Sequence, residues 1–208
     1  DDAMCREKLL EHFKVSSFAG LGLEDYDCGV ISAGALLTYL LETQKNSLSN
    51  LTHLTPYVTG KYMMLDSSTR RNLELCETLR EKQKRGSLLW VLDKTRTAMG
   101  ARTLRKFVEQ PLIDKNEINR RLDAVEELKE QAISREEIRE YLSPVYDLER
   151  LITKITYGSA NPRDLTAFKS SLEMLPPIRY ILEEMKASLL QEIYEDLDAL
   201  EDLCDLVT

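Results

Sequence analysis

The chain has 208 residues, of which 43% are hydrophobic and 31% charged, with 8 Gly and 6 Pro; this composition is typical of helix-rich globular domains and argues against disordered or collagen-like chains. Its 28 Lys and Arg against 36 Asp and Glu give a net charge of −8, which argues against a chain devoted to binding duplex DNA, because phosphate contacts dominate such binding. No apolar run approaches the roughly 20 residues that a membrane-spanning helix needs, and no signal peptide is visible.

The first 56 residues are predicted to contain two helices followed by a linker. Helical spacing of apolar residues over 4–13 and over VISAGALLTYLLETQ predicts the two helices, the second with Ser32 as its N-cap. The polar stretch NSLSNLTHLTP ends at Pro56 and is typical of a linker. We therefore expect one domain over 1–56 and a second over 57–208.

The remainder is predicted to be helical after a short extended segment near 57–65, which has strand propensity. Asp114 and Ser134 are each followed three residues later by Glu, and Asn161-Pro162 and Pro176-Pro177 also indicate helix starts. A last helix from Ser188 is predicted to carry an apolar stripe at Leu190, Ile193, Leu197, Leu200 and Cys204. The predicted fold class is mainly all-α.

The stretch GSLLWVLDKTRTAMGARTLRKFVEQPL, residues 86–112, holds the single tryptophan among several basic residues. Its apolar run 88–92 is too dense for a half-exposed face, so we expect it to be buried, and 97–110 is predicted to be a helix. Gly100 costs a helix about 1 kcal/mol relative to Ala, which favours a second helix backbone passing close to it. We expect a packing centre at Trp90, Met99, Gly100, Phe107, Pro111 and Leu112, and a polar rim at Asp93, Arg102 and Arg105.

Charge is unevenly distributed along the chain. Residues 70–106 carry eleven basic and four acidic residues, a balance of +7, whereas 174–208 carry two basic and nine acidic residues, a balance of −7. The basic block is either a solvated rim around packed apolar residues or a direct DNA-binding surface. Core packing is the preferred interpretation, because aromatic residues that stack on bases must be exposed.

Catalytic and metal-binding patterns are missing from the sequence. The four cysteines are widely spaced without a C-x-x-C pair, both histidines are isolated, and no phosphate-binding loop occurs. We therefore predict no catalytic residue, cofactor site or metal site, and indifferent thiols in a reducing cytoplasm.

Four motifs occur in a distinctive order: MMLDSSTRRNLEL, the stretch 86–112, INRRLDAVEEL and DLERLITKITYGSANPRDL. This succession closely resembles the core (lever) domain of the bacterial MutS family of DNA mismatch-repair proteins. ISAGALLTYLLETQ resembles the last helix of the α/β connector domain of that family. The resemblance covers essentially the whole chain and implies a fragment: the tail of a connector domain with its linker over 1–56, and the first part of the core domain over 57–208, ending before the clamp insertion.

The resemblance also implies a division of labour. The mismatch-reading, clamp and ATPase domains of the family lie outside these residues, so the chain is expected not to be an enzyme by itself, and ATP and Mg are implied only for the parent protein. The family reads mismatches with Phe-x-Glu, but Phe107-Val108-Glu109 matches the end of a core helix instead.

The expected function is a structural and allosteric core linking the clamp and mismatch domains to the ATPase, in a cytoplasmic, homodimeric parent that binds mismatched duplex DNA and MutL. The alternatives are non-specific DNA binding by the basic block 70–106 and a docking platform for MutL. The stripe on the last helix is expected to lack its partner and therefore to self-associate or fray.

Overall fold

The computed structural model describes residues 2–43, 48–49, 51–56 and 59–207. The chain divides into two compact units, Asp1–Thr59 and Gly60–Thr208. In the described residues the α-helices are α1 (Asp2–Phe13), α2 (Asp27–Thr43), α3 (Ser67–Asn72), α4 (Leu88–Leu92), α5 (Ala98–Glu109), α6 (Lys115–Glu130), α7 (Ala132–Leu142), α8 (Leu148–Thr156), α9 (Pro162–Leu172), α10 (Leu175–Glu183), α11 (Ser188–Asp196) and α12 (Glu201–Leu206). This arrangement confirms the mainly all-α fold class. None of the helices in this part of the chain is long and apolar enough to cross a lipid bilayer.

The N-terminal unit is a pair of helices in close contact. A Cβ atom built on Gly34 of α2 would lie 2.4 Å from the carbonyl oxygen of Cys5 in α1, so only glycine permits this approach. Around this contact a small core forms from Leu9, Leu23, Val30 and Leu37. The predicted cap at Ser32 is wrong: α2 begins at Asp27, and the Ser32 hydroxyl donates to the carbonyl of Cys28 at 2.7 Å within the helix.

The extended segment predicted near 57–65 is reduced to an isolated bridge. Residues 57–58 lie outside the described part, and Thr59–Lys61 form a single 3₁₀ turn. Tyr62 then pairs in antiparallel fashion with Leu112, and the Met63 N–H donates to the Pro111 carbonyl at 2.8 Å. This bridge joins the beginning of the second unit to the segment that follows α5.

Local signals placed several helices correctly. The Thr97 side chain caps α5 by accepting from the Gly100 N–H at 3.0 Å, and Asp114 caps α6 in the same way. Asn161 and Asp164 form a complete capping box at the start of α9. The predicted box at Ser134 is wrong, because α7 starts at Ala132, with Gln131 alone between it and α6, and Ser134 lies inside α7.

The prediction that 88–92 is buried is wrong except at Leu89, which is 3% exposed. The segment forms only the five-residue helix α4, capped by Ser87, whose side chain accepts from the Trp90 N–H at 3.2 Å. One side of so short a helix faces the protein, and the described residues leave its other sides uncovered. Trp90 is 47% exposed, and Leu88, Val91 and Leu92 are similarly accessible.

Two apolar clusters stabilise the second unit. The first lies between α6, α10 and α11 and contains Ala124, Ile178, Leu182, Met185 and Leu190. The second lies between α8 and α9 and contains Leu151, Phe168 and Leu172.

The predicted last helix is broken, which overturns the expectation of an unpartnered stripe. Helix α11 ends at Asp196, Leu200 has a left-handed φ of 51°, and α12 begins at Glu201. Leu190 and Leu197 belong to the first cluster, whereas Leu200 and Cys204 pack against the second. Because the break redirects the chain, the two halves of the stripe are covered by different clusters, and only Ile193 is left largely exposed.

Candidate functional site

Helix α5 is the point at which separate segments of the second unit meet. We call α5, the Lys61–Met63 bridge to Pro111–Ile113, and the side chains of Cys76, Arg121, Asp147 and Glu149 the α5 junction. These partners come from four different parts of the chain, so the junction joins the start of the unit, the segment before α4, helix α6 and the start of α8.

The strongest polar contact of the α5 junction is made by Arg102. Its Nη1 and Nη2 atoms donate to the two oxygens of Asp147, each at 2.8 Å, and Nη2 also contacts Glu149. Such a two-pronged pair fixes orientation as well as distance. The pairing raises the pKa of Arg102 and lowers the pKa of Asp147. Both groups therefore stay ionised at neutral pH.

Arg105 and Cys76 share one carboxylate. The Arg105 Nε donates to Glu109 Oε1 at 2.9 Å, one helical turn away, and the Cys76 thiol donates to the same oxygen at 3.3 Å. Burial, reinforced by the neighbouring carboxylate, raises the pKa of Cys76. The thiol is therefore protonated and acts as a hydrogen-bond donor, which is the opposite of what a nucleophilic cysteine requires.

Phe107 joins α5 to α6 through a cation–π contact. The Arg121 guanidinium carbon lies 3.8 Å from the centroid of the Phe107 ring, within the range in which such pairs attract. The ring is nevertheless 43% exposed, so Phe107 lies at the periphery of the α5 junction.

Asp93 lies beside α4 and links the loops at its two ends. Its carboxylate pairs with the Lys84 ammonium and accepts from the Thr95 hydroxyl at 2.6 Å and the Thr95 N–H at 3.2 Å. The hydrogen bond from Lys84, followed by that from Thr95, lowers the pKa of Asp93 to about 2. All three residues predicted for the polar rim thus form ion pairs, two of them at α5 and one at α4.

The residues predicted for the packing centre do not form one buried core among the described residues. Met99, Gly100, Pro111 and Leu112 are half-buried, whereas Trp90 and Phe107 are exposed. The reason given for Gly100 is wrong: a Cβ there would meet Thr97 Oγ1 at 3.1 Å and Thr95 Cβ at 3.5 Å, which belong to the N-cap residue and to the loop before α5, not to another helix. The role of the six predicted residues as a packing centre stays a prediction.

Glu127 is an organising residue that sequence reasoning missed. Its two carboxylate oxygens accept the backbone N–H groups of Lys186 at 2.7 Å and Ala187 at 2.6 Å, immediately before α11. The carboxylate of α6 therefore caps a helix that begins 61 residues later in the chain. Local spacing carries no signal for such a contact, and the same holds for the partners Arg121 and Asp147.

Metal chemistry is not supported in the described part of the chain, which contains no group of three His, Cys, Asp or Glu side chains that could hold an ion. The arrangement of the α5 junction consists of directional contacts between segments. It can transmit a displacement from one segment to another, and it offers no reacting group.

Comparison with known proteins agrees with this organisation. Residues 2–54 match the family model for MutS domain II, and residues 68–207 match that for MutS domain III. The chain is 65% identical over 207 residues to the DNA mismatch repair protein MutS of Lachnoclostridium phytofermentans, covering 100% of this chain and 22% of that protein. It is 51% identical over 199 residues to the protein of the same name from Ruminiclostridium cellulolyticum, covering 96% of this chain and 22% of that protein. The chain thus spans about a fifth of the length of these relatives.

Proposed function

The chain belongs to the MutS family of DNA mismatch-repair proteins, and on that premise we propose that it is part of the structural and allosteric core of such a protein. In this role it transmits conformational change between DNA-contacting domains and the ATPase. The two matched domains do not include the ATPase domain, so no catalytic activity is assigned to these 208 residues.

The observation that carries this proposal is the α5 junction. Coupling between distant sites depends on packed side chains, ion pairs and rigid helices that form a continuous physical network. The junction has these components: a bidentate Arg102–Asp147 pair, a cation–π contact from α6 and a backbone bridge to residues 61–63. A rotation of α5 would therefore displace groups in four segments of the chain at the same time.

The test is a double-mutant cycle in a full-length MutS protein carrying these residues, with Arg102→Gln and Asp147→Asn. We expect the effect of mismatched DNA on nucleotide affinity to change by about 0.5–2 kcal/mol, while nucleotide affinity without DNA stays constant. Arg163→Gln, an exposed arginine with no ion pair among the described residues, serves as the control. Equal coupling in the wild type and in all variants would refute the role of the junction.

Further features of the parent protein are proposed on the same premise. They are binding of mismatched duplex DNA and of ATP with Mg by domains outside these residues, engagement of MutL, assembly as a homodimer, and a cytoplasmic location. We also propose the division into a connector tail over 1–56 and a core segment over 57–208. It is supported by the division of the chain into compact units over Asp1–Thr59 and Gly60–Thr208, and by the matches over 2–54 and 68–207.

A further inference from the structure

Residues 80–96, which we call the α4 surface, combine exposed cations with the exposed tryptophan. Arg80, Lys82, Arg85, Lys94 and Arg96 are all exposed, and none forms an ion pair with another described residue. Lys84 and Asp93 neutralise each other. Among residues 74–96, Glu81 inside the surface and Glu74 and Glu77 just before it are the acids left beside the five cations, so this segment keeps a net positive charge.

The local structure brings these cations to both ends of one short helix. Lys84 in the loop before α4 pairs with Asp93 in the loop after it, which ties the two loops together. The second loop is further held by Arg139, whose Nη1 donates to the Lys94 carbonyl at 3.4 Å. Arg80, Lys82 and Arg85 therefore precede α4 and Lys94 and Arg96 follow it, and Trp90 lies in the helix between the two groups.

Helix α4 is anchored so that Trp90 stays outside. Leu89 is buried, and its N–H donates to the Leu75 carbonyl at 2.8 Å, while the Leu88 N–H donates to the Glu74 carbonyl at 3.1 Å. Ser87, only 1% exposed, caps the helix and holds the Lys84 carbonyl through its hydroxyl at 2.7 Å. An aromatic side chain that stacks on a base must be exposed and lie in a region of positive charge. Trp90 meets both requirements.

We propose that the α4 surface binds single-stranded DNA, with the five cations contacting phosphates and Trp90 stacking on an unpaired base. A single strand is favoured over a duplex because the faces of duplex bases are already stacked and closed to an indole. Cations without acidic partners favour a polyanion over an apolar protein segment, although Leu88, Val91 and Leu92 are also exposed. This inference does not depend on the allosteric role, since it concerns a direct contact made by the core itself.

Trp90 is the single tryptophan of the chain, so its fluorescence reports on this surface alone. We expect an oligothymidylate of about 12 nucleotides to quench Trp90 emission saturably, and the affinity to fall steeply between about 50 and 200 mM salt. A duplex of the same length should quench much less. Lack of quenching at low salt would overturn the proposal. A shift of Trp90 emission to shorter wavelength as the protein concentration rises, with no DNA present, would also overturn it, because the α4 surface would then mediate contact between copies of the chain.

Two sets of variants, checked for folding by circular dichroism, separate the proposed contacts from general charge effects. With a labelled oligothymidylate, Trp90→Ala should weaken binding by about 5- to 100-fold, the loss expected for one stacked base, whereas Tyr157→Ala, which removes an 82% exposed aromatic elsewhere, should not. The triple variant Arg80→Gln, Lys82→Gln, Arg85→Gln should reduce the slope of log affinity against log salt by about 2.

The matched control for charge is the triple variant Lys129→Gln, Arg163→Gln, Lys186→Gln, in which three exposed cations outside the α4 surface are removed. It should keep the wild-type slope. Equal losses in the two triple variants would overturn the proposal, because binding would then follow net charge and not this surface. Binding that is unchanged by Trp90→Ala would overturn the stacking contact and, with it, the preference for a single strand.

Discussion

Replacing Glu127 removes a helix cap that comes from a distant part of the chain. The two oxygens of its carboxylate receive the N–H groups of Lys186 and Ala187, and Oε1 also accepts from the Gln131 amide at 3.1 Å. Glu127→Ala leaves the two backbone donors before α11 without a protein acceptor. Hydrogen bonds to a charged group contribute about 1.5–3 kcal/mol each when buried, and an N-cap contributes about 0.5–2 kcal/mol.

The site is partly exposed, so water replaces some of the lost bonding and the lower end of these values applies to each bond. We expect Glu127→Ala to reduce the free energy of unfolding of the second unit by about 2 kcal/mol. Chemical denaturation measures the total loss, and hydrogen exchange at the Lys186 and Ala187 amides locates it. Glu127→Gln, which keeps one side-chain oxygen as an acceptor, should lose less.

Glu130→Ala is the matched control, because Glu130 lies on the same helix, is exposed, and its side chain has no hydrogen bond or ion pair with the described residues. Its effect should stay within about 0.5 kcal/mol. If Glu127→Ala and Glu130→Ala destabilise the protein equally, or if exchange at Lys186 and Ala187 does not change, the capping role of Glu127 is refuted.

Three further predictions concern other contacts. Gly34→Ala should destabilise the N-terminal unit by about 1–3 kcal/mol through overpacking against Cys5. The control Gly29→Ala, whose new Cβ would lie 3.5 Å from Tyr26 Cβ, should not destabilise it. Equal midpoints of thermal unfolding for the two variants would contradict this prediction. The pKa of Asp93 is lowered from 3.8 to about 2, so the stability that its carboxylate contributes is present above pH 3.8 and is lost as pH falls through about 2. The difference in free energy of unfolding between wild type and Asp93→Asn, measured in urea, should therefore shrink over that interval. A constant difference would exclude the ion pair as the source of this stability. A double-mutant cycle for unfolding on Arg102 and Asp147 should give a larger coupling energy than the cycle on the helical pair Arg105 and Glu109, because the Arg102 guanidinium contacts both oxygens of Asp147. Equal coupling energies would show that the two-pronged contact adds no strength.

Predictions based on neighbours in sequence were the most accurate. The caps at Asp114 and Asn161 each receive an N–H from three residues further on, so residue type and spacing are enough to find them. The same logic failed at Ser134, because α6 and α7 are separated by one residue and the helix had already begun.

Burial was predicted less well, because an apolar pattern shows which residues avoid water but not which parts of the chain will cover them. Residues 88–92 are as apolar as a buried segment, yet in the described structure only Leu89 is covered. The stripe on the last predicted helix is covered, but by two clusters on either side of a break at Leu200, a position where nothing in the side chain favours a left-handed conformation.

The sequence by itself determined the helical fold class, several helix starts and the family, since these depend on local spacing and on motifs in order. Only the tertiary structure decided that Arg102 pairs with Asp147, that Glu127 caps α11, that Gly34 admits the Cys5 carbonyl and that Trp90 is exposed. Each of these depends on which distant segments the fold brings within a few ångströms of one another, and that distance in space is not encoded by separation along the chain.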